Sequence, residues 1–121
     1  MKVLLTGCKG YIGSVLSQKL LRSGHQVIGL DCGFFEENLL EPTSEEYRYL
    51  RKDIRDVEYG DVEGVEAVIH LAALSNDPLG EFDPNITTDI NLNGTIRLAQ
   101  IAKKCGVGRF VFASTQSIYG V

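Results

Sequence analysis

A chain of 121 residues fits one domain, long enough to bury a core but short for an enzyme with separate cofactor and substrate regions. Its formal net charge of −4 and pI near 5.1 argue against a general nucleic-acid surface or an anionic-membrane surface. No apolar run approaches the ~20 residues of a membrane span, and the N-terminus opens straight into a strand pattern instead of a signal peptide. Cys8, Cys32 and Cys105 are odd in number and lack C-x-x-C spacing, which fits reduced thiols in a cytoplasmic protein better than a disulfide framework or a zinc site. His25 and His70 add no metal pattern, so no metal site is expected.

The apolar strand Val3-Leu4-Leu5 runs into Thr6-Gly7-Cys8-Lys9-Gly10-Tyr11-Ile12-Gly13. Glycines at this spacing permit a tight exit from the strand, close approach of backbone to a pyrophosphate and close packing of the following helix. The amides opening that helix, from Gly10 to Gly13, lack partners within it and form an anion site with the helix dipole. Ile12, Val15, Leu16 and Leu20 recur at helical spacing and Gly24 stands at a C-terminal stop, which predicts a helix over about Tyr11 to Ser23. A second buried strand, Gln26 to Leu30, ends at Asp31, ~20 residues beyond the glycines, where a carboxylate can hold a ribose 2′-hydroxyl.

Cys32 to Glu46 reads as a long acidic loop leaving the ribose position, either a cover for a ligand or a solvated connection. Tyr47 to Arg51 alternates apolar with basic residues, as in a third strand near an edge, and Asp53-Ile54-Arg55-Asp56 follows. Between Asp56 and Gly64 there is room for a short helix only. Ala67 to Leu71 forms a fourth strand leading into Ala72-Ala73, small residues at the strand end where open α/β sheets bind ligands. His70 reads better as a hydrogen-bonded histidine at a buried strand end than as a ligand-binding one. Leu74 to Asp83 is a polar loop on the same edge.

After Pro84 the spacing predicts a long helix to about Cys105, stopped by Gly106. Ile90, Gly94, Leu98, Ile101 and Cys105 form one apolar stripe, and Leu92, Ile96 and Ala99 another on nearly the opposite side. One stripe covers the sheet. The other calls for a homodimer through helix 85–105 or for a neighbour within the chain. Arg109 to Ala113 is a fifth strand, capped by the hydroxyls of Ser114-Thr115-Gln116-Ser117.

Taken together, TGCKGYIG, Asp31, Asp53-Ile54, HLAA at His70 to Ala73, NLNGT at Asn91 to Thr95 and STQSIYG at Ser114 to Gly120 resemble the N-terminal part of the extended short-chain dehydrogenase/reductases, the NAD-dependent epimerase/dehydratase family. The resemblance implies an α/β fold: a Rossmann-type doubly wound parallel sheet of about five strands, order 3-2-1-4-5, incomplete relative to the family. It implies NAD as cofactor, with the pyrophosphate on Gly7, Gly10, Tyr11, Ile12 and Gly13, the adenosine ribose on Asp31 and the adenine edge on Asp53 and Ile54. Leu71, Ala72, Ala73 and Ser114 would lie along the cofactor, and Asn91 would steady the site from beneath. Thr115 matches the catalytic Ser/Thr position, whose hydroxyl bonds the substrate oxygen undergoing oxidation. Asp31 favours NAD over NADP because a carboxylate repels a 2′-phosphate, with Lys9 and Arg51 placed to soften that preference.

The family's Tyr-x-x-x-Lys does not occur in the sequence, which ends at Val121 before the region that would carry it. The expectation is therefore the NAD-binding portion of a longer nucleotide-sugar epimerase or dehydratase, inactive by itself. A non-catalytic NAD-binding module and a reductase of non-sugar carbonyl compounds are the alternatives. The fifth strand would then form an apolar sheet edge open to other chains.

Overall fold

The computed structural model describes residues 1–32, 47–71 and 89–113. Five parallel strands form one sheet in the order β3-β2-β1-β4-β5: β1 Lys2–Thr6, β2 Gln26–Asp31, β3 Arg48–Arg51, β4 Ala67–His70 and β5 Arg109–Phe112. This is the order that the sequence predicts. Because every strand points the same way, Thr6, Asp31, Arg51 and His70 end on one edge of the sheet, and the order reverses between β1 and β4, where open α/β sheets place ligands.

The first helix, α1, spans Tyr11–Arg22. It ends where a left-handed Gly24 (φ 86°) lets the N–H groups of Gly24 and His25 reach the Leu21 and Leu20 carbonyls. Leu16, Leu20 and Leu21 pack with Leu5, Cys8, Val27 and Tyr47 on one face of the sheet. Ile12, which the spacing assigns to this apolar stripe, is instead 66% exposed in the helix's first turn. On the other face Leu4, Ile28, Leu30 and Val68 meet Ile54, Val57, Val62, Leu98 and Ile101. A 3-10 turn at Ile54–Asp56 and a single helical turn, α2 at Tyr59–Val62, fill the stretch that the sequence leaves for a short helix.

The helix predicted to run unbroken to Cys105 differs in one respect. Asp89–Gly94 is wound as a π-type turn, and the regular helix α3 covers Thr95–Lys104. A wider turn shifts the residues before it out of phase with a 3.6-residue repeat. Gly94 marks the reason for close approach here: a Cβ on it would sit 2.8 Å from Ile54 Cγ2. Along α3, Leu98 and Ile101 are buried whereas Ile96, and Leu92 in the turn before it, are 46% and 54% exposed, so these outer residues face away from the sheet. β5 is one edge of the described sheet, with Phe110, Val111 and Phe112 all exposed.

Candidate functional site

The glycine loop leaves β1 at Gly7, whose φ of 72° lies in the left-handed region that a side chain disfavours. Gly7 N–H donates to the Leu30 carbonyl at 2.8 Å, and the Gly7 carbonyl accepts from Gly10 N–H at 3.0 Å, folding the loop back across the end of β2. Gly13 then packs against that turn. A Cβ there would overlap the Gly7 carbonyl oxygen and come within 2.9 Å of Cys8 Cα.

The start of α1 is chemically open. Gly10 stands at the N-cap with no side-chain cap, and no acidic residue occupies the first turn. The N–H groups of Tyr11, Ile12 and Gly13 precede any carbonyl four residues back, so they point out of the helix with the positive end of its dipole. That donor set suits an anion.

Asp31 closes one side of the loop. Its Oδ2 accepts the backbone N–H of Lys9 at 2.9 Å, and the residue is only 8% exposed. In the strand register Arg51 lies directly opposite Asp31. The Lys9 ammonium rests 4.5 Å from the centre of the Tyr49 ring and 5.8 Å from that of Tyr47. Beneath the loop, Cys8 is fully buried and its thiol is pushed up to about 12, by desolvation first and by the Asp31 charge second. The neighbouring Tyr47 hydroxyl is likewise raised by burial. Both stay neutral and act as packing.

Asp53 receives three hydrogen bonds from Arg55: Oδ1 accepts from its backbone N–H at 2.9 Å and from Nε at 3.0 Å, and Oδ2 from Nη2 at 2.7 Å. It thereby caps the 3-10 turn. The Ile54 side chain belongs to the core at 4% exposure, so only its backbone remains to meet a ligand edge.

His70 is the polar centre on the β1–β4 side, as a buried, hydrogen-bonded histidine. Thr6 Oγ1 accepts the Leu71 N–H at 3.0 Å and lies 2.6 Å from His70 Nδ1, while His70 Nε2 lies 2.8 Å from Thr95 Oγ1. The consistent assignment has Thr6 donating to Nδ1 and Nε2–H donating to Thr95. Burial pushes the imidazole down to about 4, which keeps it neutral. The sequence does not reveal Thr6 and Thr95 as its partners; their sole signal is position, one ending β1 and the other following the NLNG turn.

The structure therefore places Gly7, Gly10, Tyr11, Ile12, Gly13 and Asp31 at the same edge of the sheet, with Leu71 at the end of the adjacent strand. Asp53 and Ile54 follow the end of β3, and Asn91 lies in the π-type turn before α3. Ala72, Ala73, Ser114 and Thr115 lie outside the described residues, as do the stretches 33–46 and 74–88 that carry the two loop expectations. Among the described residues no cluster of His, Cys, Asp or Glu could hold a metal ion, and no helix is long and apolar enough to cross a membrane.

A parallel sheet with a glycine turn, an uncapped helix start and an acid at the end of β2 defines a dinucleotide-binding α/β domain. The sequence profile of the NAD dependent epimerase/dehydratase family matches residues 3–121, and the chain belongs to that family. It is 35% identical to a UDP-glucose 4-epimerase of Mycolicibacterium smegmatis, over 99% of this chain and 41% of that protein. It is also 35% identical to a UDP-glucose 4-epimerase of Klebsiella pneumoniae, over 99% of this chain and 93% of that sequence. Among solved structures it is similar to TunA, an NAD-dependent NDP-hexosamine 5,6-dehydratase, with a TM-score of 0.87 and 29% identity over 98% of this chain and 38% of that one. The UDP-glucose-4-epimerase of Stenotrophomonas maltophila, solved with NAD and formylated UDP-arabinopyranose, gives a TM-score of 0.83 and 29% identity over 99% of this chain and 38% of that one. The chain thus spans about two fifths of the length of most of these relatives.

Proposed function

We propose that this chain is the NAD-binding portion of a nucleotide-sugar 4-epimerase, with dehydratase chemistry the nearest variant. The observation that carries the reading is the uncapped start of α1 beside Asp31, which offers N–H donors to a pyrophosphate and a carboxylate to a ribose at the switch point of the sheet. The relatives named UDP-glucose 4-epimerase support the substrate class.

In this reading Gly7, Gly10, Tyr11, Ile12 and Gly13 hold the pyrophosphate, Asp31 the adenosine ribose, and Asp53 with the Ile54 backbone the adenine edge. Leu71, Ala72, Ala73 and Ser114 flank the cofactor, Asn91 steadies the site, and the Thr115 hydroxyl hydrogen-bonds the sugar oxygen. The cofactor supplies a transient hydride acceptor at a sugar hydroxyl. The Tyr-x-x-x-Lys pair that would remove the proton is not in this sequence, so turnover requires residues that these 121 do not include. An odd number of cysteines without C-x-x-C spacing supports a cytoplasmic setting. The exposed Leu92 and Ile96 support a homodimer through helix 85–105; sedimentation at micromolar concentration showing only monomer would remove that part.

The test is calorimetric titration of the chain with NAD. Saturable one-to-one binding that Asp31→Ala weakens supports the reading, and no heat of binding up to millimolar NAD overturns it.

A further inference from the structure

The underside of the glycine loop rests on a side chain that has no ligand role in the reading above. Cys8 turns inward from the loop and is fully buried. Facing it on β2 is Gly29, where a Cβ would lie 2.7 Å from Cys8 Sγ and 2.6 Å from Tyr47 Cε2. The thiol and the tyrosine ring therefore share the notch that the missing side chain leaves. Tyr47, 8% exposed, stands just before β3 and packs in the core formed with Leu5, Val27 and the leucines of α1. Its hydroxyl ends beside the Cys8 thiol and Ser17 without a well-aligned hydrogen bond to either, so the bulk of the ring is what the notch uses.

Cys8 sits between the two bonds that shape the loop. On one side the Gly7 carbonyl accepts the Gly10 N–H, and on the other the Lys9 N–H is held by Asp31 Oδ2. A Cys8 that sank into the notch or rose out of it would drag both neighbours, because consecutive Cα atoms stay ~3.8 Å apart across a trans peptide. A close-packed interior passes such a shift on instead of absorbing it. We propose that Tyr47 is a positioning residue for the pyrophosphate loop: its ring fixes the depth of Cys8 against Gly29, and with it the height of the N–H groups that open α1. It acts through Cys8 and not on the ligand.

The inference rests on the cofactor reading above, and its test separates the two. NAD is titrated calorimetrically into the wild-type chain and its variants, each under conditions where urea unfolding shows it folded. Tyr47→Leu should raise the Kd about tenfold, the equivalent of one charge-assisted bond to the pyrophosphate, and Gly29→Ala, which overfills the notch from the other side, should do the same. Tyr47→Phe keeps the ring and should stay within about twofold of wild type. In the double variant Gly29→Ala with Tyr47→Leu the added methyl takes space that the ring gave up, and the Kd should return to within about threefold of wild type. Ile101→Ala, in the core on the opposite face of the sheet, lowers stability alone and should shift the Kd by less than about twofold. Losses that multiply in the double variant, an unchanged Kd in Gly29→Ala, or a shift in Ile101→Ala equal to that in Tyr47→Leu overturns the proposal. Where Tyr47→Leu does not fold, Gly29→Ala measured against Ile101→Ala decides. Failure of NAD to bind the wild type overturns the cofactor reading and this proposal with it.

Discussion

Asp31 and Lys9 are joined by a 2.9 Å hydrogen bond from the lysine backbone to the carboxylate, which ties the end of β2 to the middle of the glycine loop. The carboxylate fixes the loop and, in the function proposed above, would also receive a ribose hydroxyl. Asp31→Asn keeps an oxygen for Lys9 N–H but removes the charge, whereas Asp31→Ala removes both. NAD affinity is expected to fall about tenfold in Asp31→Asn, and Asp31→Ala should also lose about 1–3 kcal/mol of folding stability. Calorimetry with NAD beside urea unfolding separates the two effects; equal stability of the two variants would show that the loop does not depend on this bond.

Gly13 and Gly60 offer a matched pair of glycine-to-alanine substitutions. A methyl at Gly13 meets the backbone of Gly7 and Cys8, which cannot move without reshaping the glycine turn, while a methyl at Gly60 meets nothing within 4 Å. Gly13→Ala should cost about 1–3 kcal/mol and abolish NAD binding. Gly60→Ala, inside α2, should be neutral or stabilising by up to ~1 kcal/mol. Similar thermal midpoints for the two variants would contradict the packing described for the loop.

His70 couples folding to pH in a defined direction. Its folded pKa is pushed down from 6.5 to about 4 by burial, so between those values the unfolded chain binds a proton that the folded one does not. Its contribution is complete above the unfolded value and is lost as pH falls from 6.5 toward 4, a total of about 3 kcal/mol. Urea unfolding at pH 7.5 and pH 5 should show a larger drop for the wild type than for His70→Gln, which removes the titrating group. Carboxylates shared by both proteins cancel in that difference, and parallel pH profiles would show that His70 does not titrate as described.

Much of this arrangement is legible in the sequence because local chemistry and global order agree. Gly24 and Gly106 mark helix ends because only a left-handed residue completes those caps, and both have positive φ, 86° and 76°. The apolar runs that become β2 and β4 are buried on both faces, and such runs allow few placements other than the centre of a parallel sheet. Asp31 could be singled out because its distance from the glycine loop is set by one strand-helix-strand unit. What the sequence hides are contacts between segments far apart. Nothing local links His70 to Thr6 and Thr95, or the Lys9 ammonium to Tyr49. Periodicity also fails at Asp89–Gly94, since a stripe counted at 3.6 residues per turn assumes the regular winding that the π-type turn interrupts.

That turn gives the last prediction. Gly94 lies where the π-type winding passes into α3, pressed on Ile54 so closely that an added Cβ would be 2.8 Å from its Cγ2. Ile54 has little room to swing away, since it is 4% exposed and surrounded by core. Gly94→Ala should therefore cost about 1–3 kcal/mol through overpacking, despite alanine's higher helix propensity. The double variant Gly94→Ala with Ile54→Ala removes the Cγ2 methyl from the collision. If the clash is the cause, it should lose less stability than the sum of the single substitutions, by at least ~0.5 kcal/mol. Additive losses in urea unfolding would locate the cost in the winding of the turn and away from the Gly94–Ile54 contact.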